Sequence, residues 1–233
     1  MGWGIFFLIV IAMALYQWRW KAAVVLLCLY LIYPFSFWSY KLTLVVETPE
    51  GIKTGSAVRW VYSSLKPKIL PEERAFHTGV KGEAVVVDLG ERGVLFALLK
   101  GKDSSDYGYN IIYREFPTET GIGVRRKILH YTFLKDKKEL AFDKIPMLVR
   151  FRDINDPKTV EQVDPNDLEK SFGKGVRLVS ATLEMTDEDM TSGVVERYLP
   201  KFDEKTGYLQ WFRSLPYGDS RRIGPYDFKT GVN

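Results

Sequence analysis

The sequence predicts an N-terminal transmembrane helical hairpin, or a single span, over residues 1–40, followed by an α+β, mainly antiparallel β, domain over 41–233. Three observations carry this expectation. Arg19 and Lys21 are the only charged side chains before residue 41. Beyond them, apolar and polar residues alternate with the period of two that marks strands. Proline- and glycine-bounded turns then cut the rest of the chain into short elements, the pattern of an α+β fold.

Residues 3–16, "WGIFFLIVIAMALY", and 22–40, "AAVVLLCLYLIYPFSFWSY", flank the polar junction "QWRWK". A spanning helix needs about 20 apolar residues. The second block meets that length, and the first does so only if Gln17 and Trp18 are counted. Indole rings favour the membrane interface. Trp3 and Trp38 fall at the outer ends of the blocks, and Trp18, Arg19, Trp20 and Lys21 fall at the junction. A tight hairpin then sets each tryptophan pair at one interface. Basic residues stay on the cytoplasmic side, so the expected localisation is the inner membrane, with residues 41–233 outside the cytoplasm. Cys28 is the sole cysteine, which excludes an intrachain disulfide or a cysteine-built metal site.

Within "KLTLVVETPEGIKTGSAVRWVYSS", Leu42, Leu44 and Val46 alternate with Thr43, Val45 and Glu47, and Val58, Trp60 and Tyr62 resume the apolar face. Pro49, Glu50 and Gly51 supply the turn of a hairpin. "KPKILPEE" is a loop. "EAVVVDLGERGVLFALL" predicts a second hairpin, apolar on both faces and therefore central. "DYGYNIIYREF" fits strand or helix. "GVRRKILHYTFLKDKKEL" predicts a helix from Val124, Ile128, Tyr131 and Leu134. "PMLVRFR" predicts a strand, and "PNDLEKSFG" a helix capped by Asp164 with Pro165 at its first position and Gly173 at its end. "VRLVSATLEM" reads as a strand, "SGVVERYL" as a helical turn, "YLQWFRSL" as a late strand, and the chain from Pro216 as loop.

Four segments, "VETPEGIKTGSAV", "KGEAVVVDLGERGVLFALL", "PMLVRFRDINDPKTVEQVDPNDL" and "TLEMTDEDMTSGVVERYLP", resemble in this order a family of bacterial membrane-anchored proteins. The likeness covers most of residues 41–215. It implies a bacterial source and one continuous domain. The family has no established activity, so no residue role is carried over.

The most chemically suggestive stretch is "RFRDINDPKTVEQVDPND", and Arg152, Asp153, Asn155 and Asp156 are its candidate binding residues. A calcium loop counted from Asp153 fails, because Pro157 and Lys158 stand where an oxygen ligand and a glycine belong. Asx turns at Asn155-Asp156-Pro157 and Asp164-Pro165 account for the acids locally. His77 and His130 lack any partner at zinc-ligand spacing. Ser56 sits in no nucleophile elbow, and "GIGVRRK" lacks the glycines of a phosphate loop. "TDEDM", Thr186–Met190, offers paired carboxylates or a solvated loop.

No cofactor motif is present. With 33 basic and 29 acidic residues interleaved, the surface lacks the basic footprint of a nucleic-acid binder. The function expected is a membrane-tethered extracytoplasmic interaction or assembly module. Its expected partners are the lipid bilayer and another envelope protein. The alternatives are a membrane-anchored hydrolase using carboxylates near residues 153–167, and a small subunit of a membrane complex.

Overall fold

The computed structural model describes residues 16–24, 35–65, 76–102, 104–121, 123–199 and 208–231. The chain divides into two compact units, residues 1–36 with 63–77, and residues 37–62 with 78–233. In the first unit, residues 16–24 are helical and exposed, and the rings of Tyr16 and Trp20 meet at 6.0 Å.

The second unit holds one antiparallel sheet whole and nearly all of another. The larger has six strands in the order β10-β3-β2-β1-β9-β6. These are β1 (Phe35–Thr48), β2 (Gly51–Leu65), β3 (Phe76–Glu83), β6 (Lys137–Glu139), β9 (Arg177–Thr186) and β10 (Lys229–Thr230). The smaller runs β4-β5-β7-β8, with β4 at Val85–Asp88, β5 at Val94–Ala97, β7 at Leu148–Phe151 and β8 at Val160–Val163. Helices α1 (Tyr107–Glu115), α2 (Val124–Phe133), α3 (Glu169–Phe172), α4 (Val194–Tyr198), α5 (Tyr208–Ser214) and α6 (Pro225–Phe228) fill the connections.

The small sheet is apolar on both faces because both are covered. Val85, Val87, Leu95, Ala97, Leu148 and Val163 join the core that also holds Tyr40, Leu42, Leu44 and Leu183 of the large sheet. The alternate residues Val86, Phe96, Val149 and Phe151 join a second core with Val195, Leu199, Ile223 and Phe228. Phe96 is its centre, edge-on to both Phe151 and Phe228 at 5.7 and 5.6 Å. Of the hairpin expected to be central, β5 is central but β4 lies at the sheet edge. Its continuous apolar pattern therefore reports coverage of both faces rather than position in the sheet. The sheets meet closely at Gly55, where an added Cβ would stand 2.1 Å from the Val86 carbonyl oxygen.

A single irregularity reconciles β9 with its burial. Pairing with β1 slips between Val45 and Val46, so that Val45 faces Ser180 and Val46 faces Leu178. The extra residue, Val179, bulges outward, and Leu178 and Ala181 both stay buried although three positions apart.

The transmembrane helical hairpin, and the single span with it, is corrected. Among the described residues no helix is long and apolar enough to cross a membrane. The end of the second apolar block is not helical at all, since β1 begins at Phe35. Its aromatics follow a period of two, with Trp38 and Tyr40 buried at 3% and 0% and Phe37, one residue before Trp38, exposed. Trp38 is thus a core residue packed on Tyr113 and Tyr131. It does not serve as an interface anchor. Trp18, Arg19, Trp20 and Lys21 lie on the exposed helical stretch 16–24, while Trp3 and most of both apolar blocks lie outside the described residues. The inner-membrane localisation rested on these helices and is corrected with them.

Other elements differ locally. "YLQWFRSL" forms helix α5 instead of a strand, with Tyr208 in ring contact with Trp211 and Phe212 at helical spacings of three and four. The helix expected from Pro165 starts four residues later, at Glu169. Asp164 instead closes a turn onto the Asn166 amide at 2.9 Å, and Asp167 accepts from Lys170 N at 3.2 Å. The segment after Pro216, expected to be loop, supplies α6 and β10.

Two charged groups are fully buried between these layers. Arg59 donates from Nε to the Glu83 carbonyl at 3.0 Å, and from Nη2 to Ala97 and Leu98 carbonyls at 2.9 and 3.1 Å. It thereby fastens β2 to the end of β5. The Glu83 carboxylate accepts from the amides of Gly193, Val194 and Val195 at 2.5, 2.9 and 3.2 Å. These are orphan donors of a helix start, which a carboxylate satisfies well. Gly193, at φ 79°, holds the left-handed turn that points them inward.

Candidate functional site

The turn that looked most chemical is satisfied from within. Asp153 Oδ1 accepts from Asn155 N at 2.9 Å, and Asp156 Oδ1 accepts from Lys158 N at 3.0 Å. Thr159 Oγ1 donates to the carbonyls of Asp153 and Asp156 and accepts from Asp153 N. Arg152 turns to Glu161 at 3.5 Å, and Arg150 also pairs with Glu161. The four candidate residues are thus neighbours in a closed Asx turn between β7 and β8. Among the described residues no group of three or more His, Cys, Asp or Glu side chains is placed to hold a metal.

Two adjoining clefts lie beside the small sheet. The larger, of about 520 Å³, is lined by Lys102, Asp143, Gln162, Asp164 and Asn166 over an apolar floor that includes Met147 and Leu148. Its neighbour, of about 450 Å³, shares Lys102 and Asp143 and adds Tyr107, Glu115 and Lys144. Glu115 is buried at 3% and meets Lys138 and Lys144, each at 2.9 Å. Burial pushes its carboxyl up, but the two ammonium groups outweigh that and hold it below the usual carboxylate range.

A third groove, of about 310 Å³, opens where β1 begins and β9 ends. Strand alternation sends Phe37 to one face of β1 and Trp38 to the other. Phe37 stacks with Trp60 of β2 at 6.3 Å and 25°, and both rings stay open to solvent, at 61% and 38% exposure. Trp38, Tyr131, Leu134 and Met185 form the apolar wall. The Tyr131 hydroxyl is committed to the Phe116 carbonyl at 2.9 Å. The Trp38 Nε1–H is not, for it is buried and finds no acceptor among the described residues. An indole nitrogen can only donate, and a buried donor left unpaired costs about 1–3 kcal/mol.

The far rim is acidic and follows directly from the end of β9. Asp187 pairs with Lys135, and Glu188 receives Lys41 Nζ at 2.8 and 2.9 Å. Both pairs are solvent-exposed and hence weak. Asp189 has no ionic partner among the described residues.

Chemistry selects among the three sites. In the Asx turn, Asp153 and Asp156 are each bonded to a backbone amide of the turn itself. The two larger clefts are walled by acids and lysines that include the closed Glu115 pair. Only the groove joins the Phe37–Trp60 ring pair to a buried indole donor with no acceptor, and an acid with no ionic partner, among the described residues. Of its residues, the sequence pattern puts Trp38 at a membrane interface, offers Thr186–Met190 as paired carboxylates or a solvated loop, and gives Phe37 and Asp189 no individual role. A signal existed: counting back from Thr48 and Gly51 about the two-residue turn sets Trp60 diagonal to Phe37 on the outer face. Comparison with protein-family models, curated proteins and solved structures finds no match to this chain.

Proposed function

We propose that the chain is an interaction module whose binding surface is the groove between the Phe37–Trp60 ring pair and the Asp187–Asp189 rim. The observation that carries this reading is the Trp38 Nε1–H, a buried donor with no acceptor among the described residues, in a side chain that lines the groove. Interface hot spots are enriched in tryptophan and lie in pockets that become desolvated on binding. The test is site-specific photo-crosslinking in the full chain. A crosslinker at Phe37 should give one discrete adduct that the same group at exposed Lys174 does not. Trp60→Ala should abolish that adduct while circular dichroism is unchanged. Identical labelling from both positions, or none from Phe37, would refute the assignment.

A second reading, a hydrolase using carboxylates within residues 153–167, has one observation in its favour. Asp164 lines the 520 Å³ cleft together with Asp143. Asp164→Asn and Asp143→Asn should then each remove a hydrolytic activity without lowering the melting temperature. Activity that survives both substitutions rejects this reading.

A further inference from the structure

Independently of the groove, we infer that the two clefts beside the small sheet form one site for a free α-amino acid with a large apolar side chain. The clefts adjoin, since Lys102, Asp143 and Ile145 line both. Their volumes, about 520 and 450 Å³, lie in the ordinary range of ligand pockets. Most polar groups in their walls are already committed. Glu115 is closed by Lys138 and Lys144, and the Tyr107 hydroxyl donates to the Lys144 carbonyl at 2.9 Å. Ser104 Oγ accepts from Asp106 N at 3.2 Å, and Gln162 Nε2 donates to the Ser220 carbonyl at 3.0 Å. Asp164 Oδ1 accepts from Asn166 N at 2.9 Å. Three charges are left over. Lys102, Arg114 and Asp143 are exposed, and none has an ionic partner among the described residues.

Each of the three is carried by a backbone held in hydrogen bonds. Lys102 sits in the turn where Gly101 N donates to Ser104 O at 2.8 Å, and Arg114 in the last turn of α1. Asp143 sits in the turn where Lys144 N donates to Ala141 O at 2.9 Å. Lys102 and Asp143 line the same opening without pairing, so the protein does not neutralise its own charges there. Two cations and one anion around one space are matched by a carboxylate and an ammonium on adjoining atoms, and an α-amino acid carries that pair. Its carboxylate meets the planar fork of Arg114 and the ammonium of Lys102, and its own ammonium meets Asp143. A plain carboxylate or phosphate would leave Asp143 facing an anion, and a plain amine would leave Arg114 and Lys102 facing a cation. Both juxtapositions oppose binding. The side chain of the ligand has its place in the larger cleft, whose floor includes Phe142, Met147, Leu148 and Val163. Leu148 and Val163 belong to the main core, so that floor is part of the packed interior.

The experiment is isothermal titration calorimetry of the full chain with L-phenylalanine and L-leucine. Three analogues each lack one feature. N-acetyl-L-phenylalanine has no ammonium and stands for a peptide C-terminus, phenethylamine has no carboxylate, and glycine has no side chain. At least one of the two amino acids should bind about tenfold or more tightly than every analogue. Arg114→Ala should weaken it about tenfold and Asp143→Asn about fivefold, with circular dichroism unchanged because neither side chain loses an ionic partner. In Asp143→Asn the preference over N-acetyl-phenylalanine should vanish. Lys174→Ala, an exposed position that lines neither cleft, should change nothing. Equal binding of N-acetyl-phenylalanine, phenethylamine or glycine overturns the amino acid, by removing the ammonium, the carboxylate or the side chain from recognition. No binding of either amino acid, or indifference to both substitutions, refutes the site. None of these results bears on the groove, which the Phe37 crosslink tests separately.

Discussion

The β7–β8 turn and the aromatic groove reverse the impression left by composition. In the turn, every acid that suggests a site is bonded to an amide two residues away, as Asp153 is to Asn155 and Asp156 to Lys158. In the groove, a residue that suggested only lipid, Trp38, carries a donor with no acceptor among the described residues. Density of polar residues is therefore a poor guide to a site. Incomplete hydrogen bonding is a better one, because a native interior satisfies nearly all its polar groups.

This contrast can be broken by experiment, and Glu83 sets its upper end. Its buried carboxylate answers three amides, so Glu83→Ala should lower the unfolding free energy by about 3–5 kcal/mol in urea denaturation. A loss within 1 kcal/mol, below the ~1–3 kcal/mol of even one unsatisfied group, would undo the link between satisfied polar groups and stability. Next comes Thr159→Ala, which removes the hydroxyl that ties the Asx turn together. About 1–2 kcal/mol should be lost with no change in crosslinking from Phe37. A crosslinking defect at normal stability would restore the turn as a site.

Trp38→Phe should behave in the opposite sense. It deletes the orphan donor but leaves a cavity beside Tyr113 and Tyr131, and the two effects offset each other, so stability should change by no more than about 1 kcal/mol. A loss of several kcal/mol would mean that the indole nitrogen is satisfied after all. The smallest effect concerns acid. The Glu115 carboxyl is held below its ordinary value of 4.5 in the folded chain. Its contribution is present above the unfolded pKa and is lost as pH falls through the folded one. Glu115→Gln should therefore destabilise the protein at pH 7 and flatten the stability profile below pH 4.5, read by thermal melts. An unchanged acid limb would remove Glu115 from the account.

Local pattern made several elements legible. The hairpin of β1 and β2 announces itself by alternation around Pro49 and Glu50, and the pair β4 and β5 by its glycine-bracketed turn. Other elements were ambiguous for a physical reason. Tyr208, Trp211, Phe212 and Leu215 are aromatic-rich, which favours strands, yet their spacing is helical and the helix prevails. The block ending at Tyr40 was uncharged enough for lipid, but a two-sheet core is equally dry, and charge alone does not separate the two. Strands β3 and β8 escaped notice because "FHTGVKGE" and "VEQV" have weak alternation and owe their state to their neighbours. The groove was least legible. It joins residues 37, 60, 131 and 189, and no local window contains that set.

The second core has a temporal consequence. Phe228 is fully buried against Phe96 and Phe151, its carbonyl accepts the Ala84 amide, and the Asp227 carbonyl accepts that of Leu99. Residues made more than a hundred positions apart must meet before this core closes. During synthesis the large sheet can assemble up to β9 while the small sheet still shows one apolar face. Only after the segment Ile223–Phe228 has left the ribosome is that face covered, so an early stop upstream of it yields a chain marked for aggregation or proteolysis by its own unburied valines and phenylalanines.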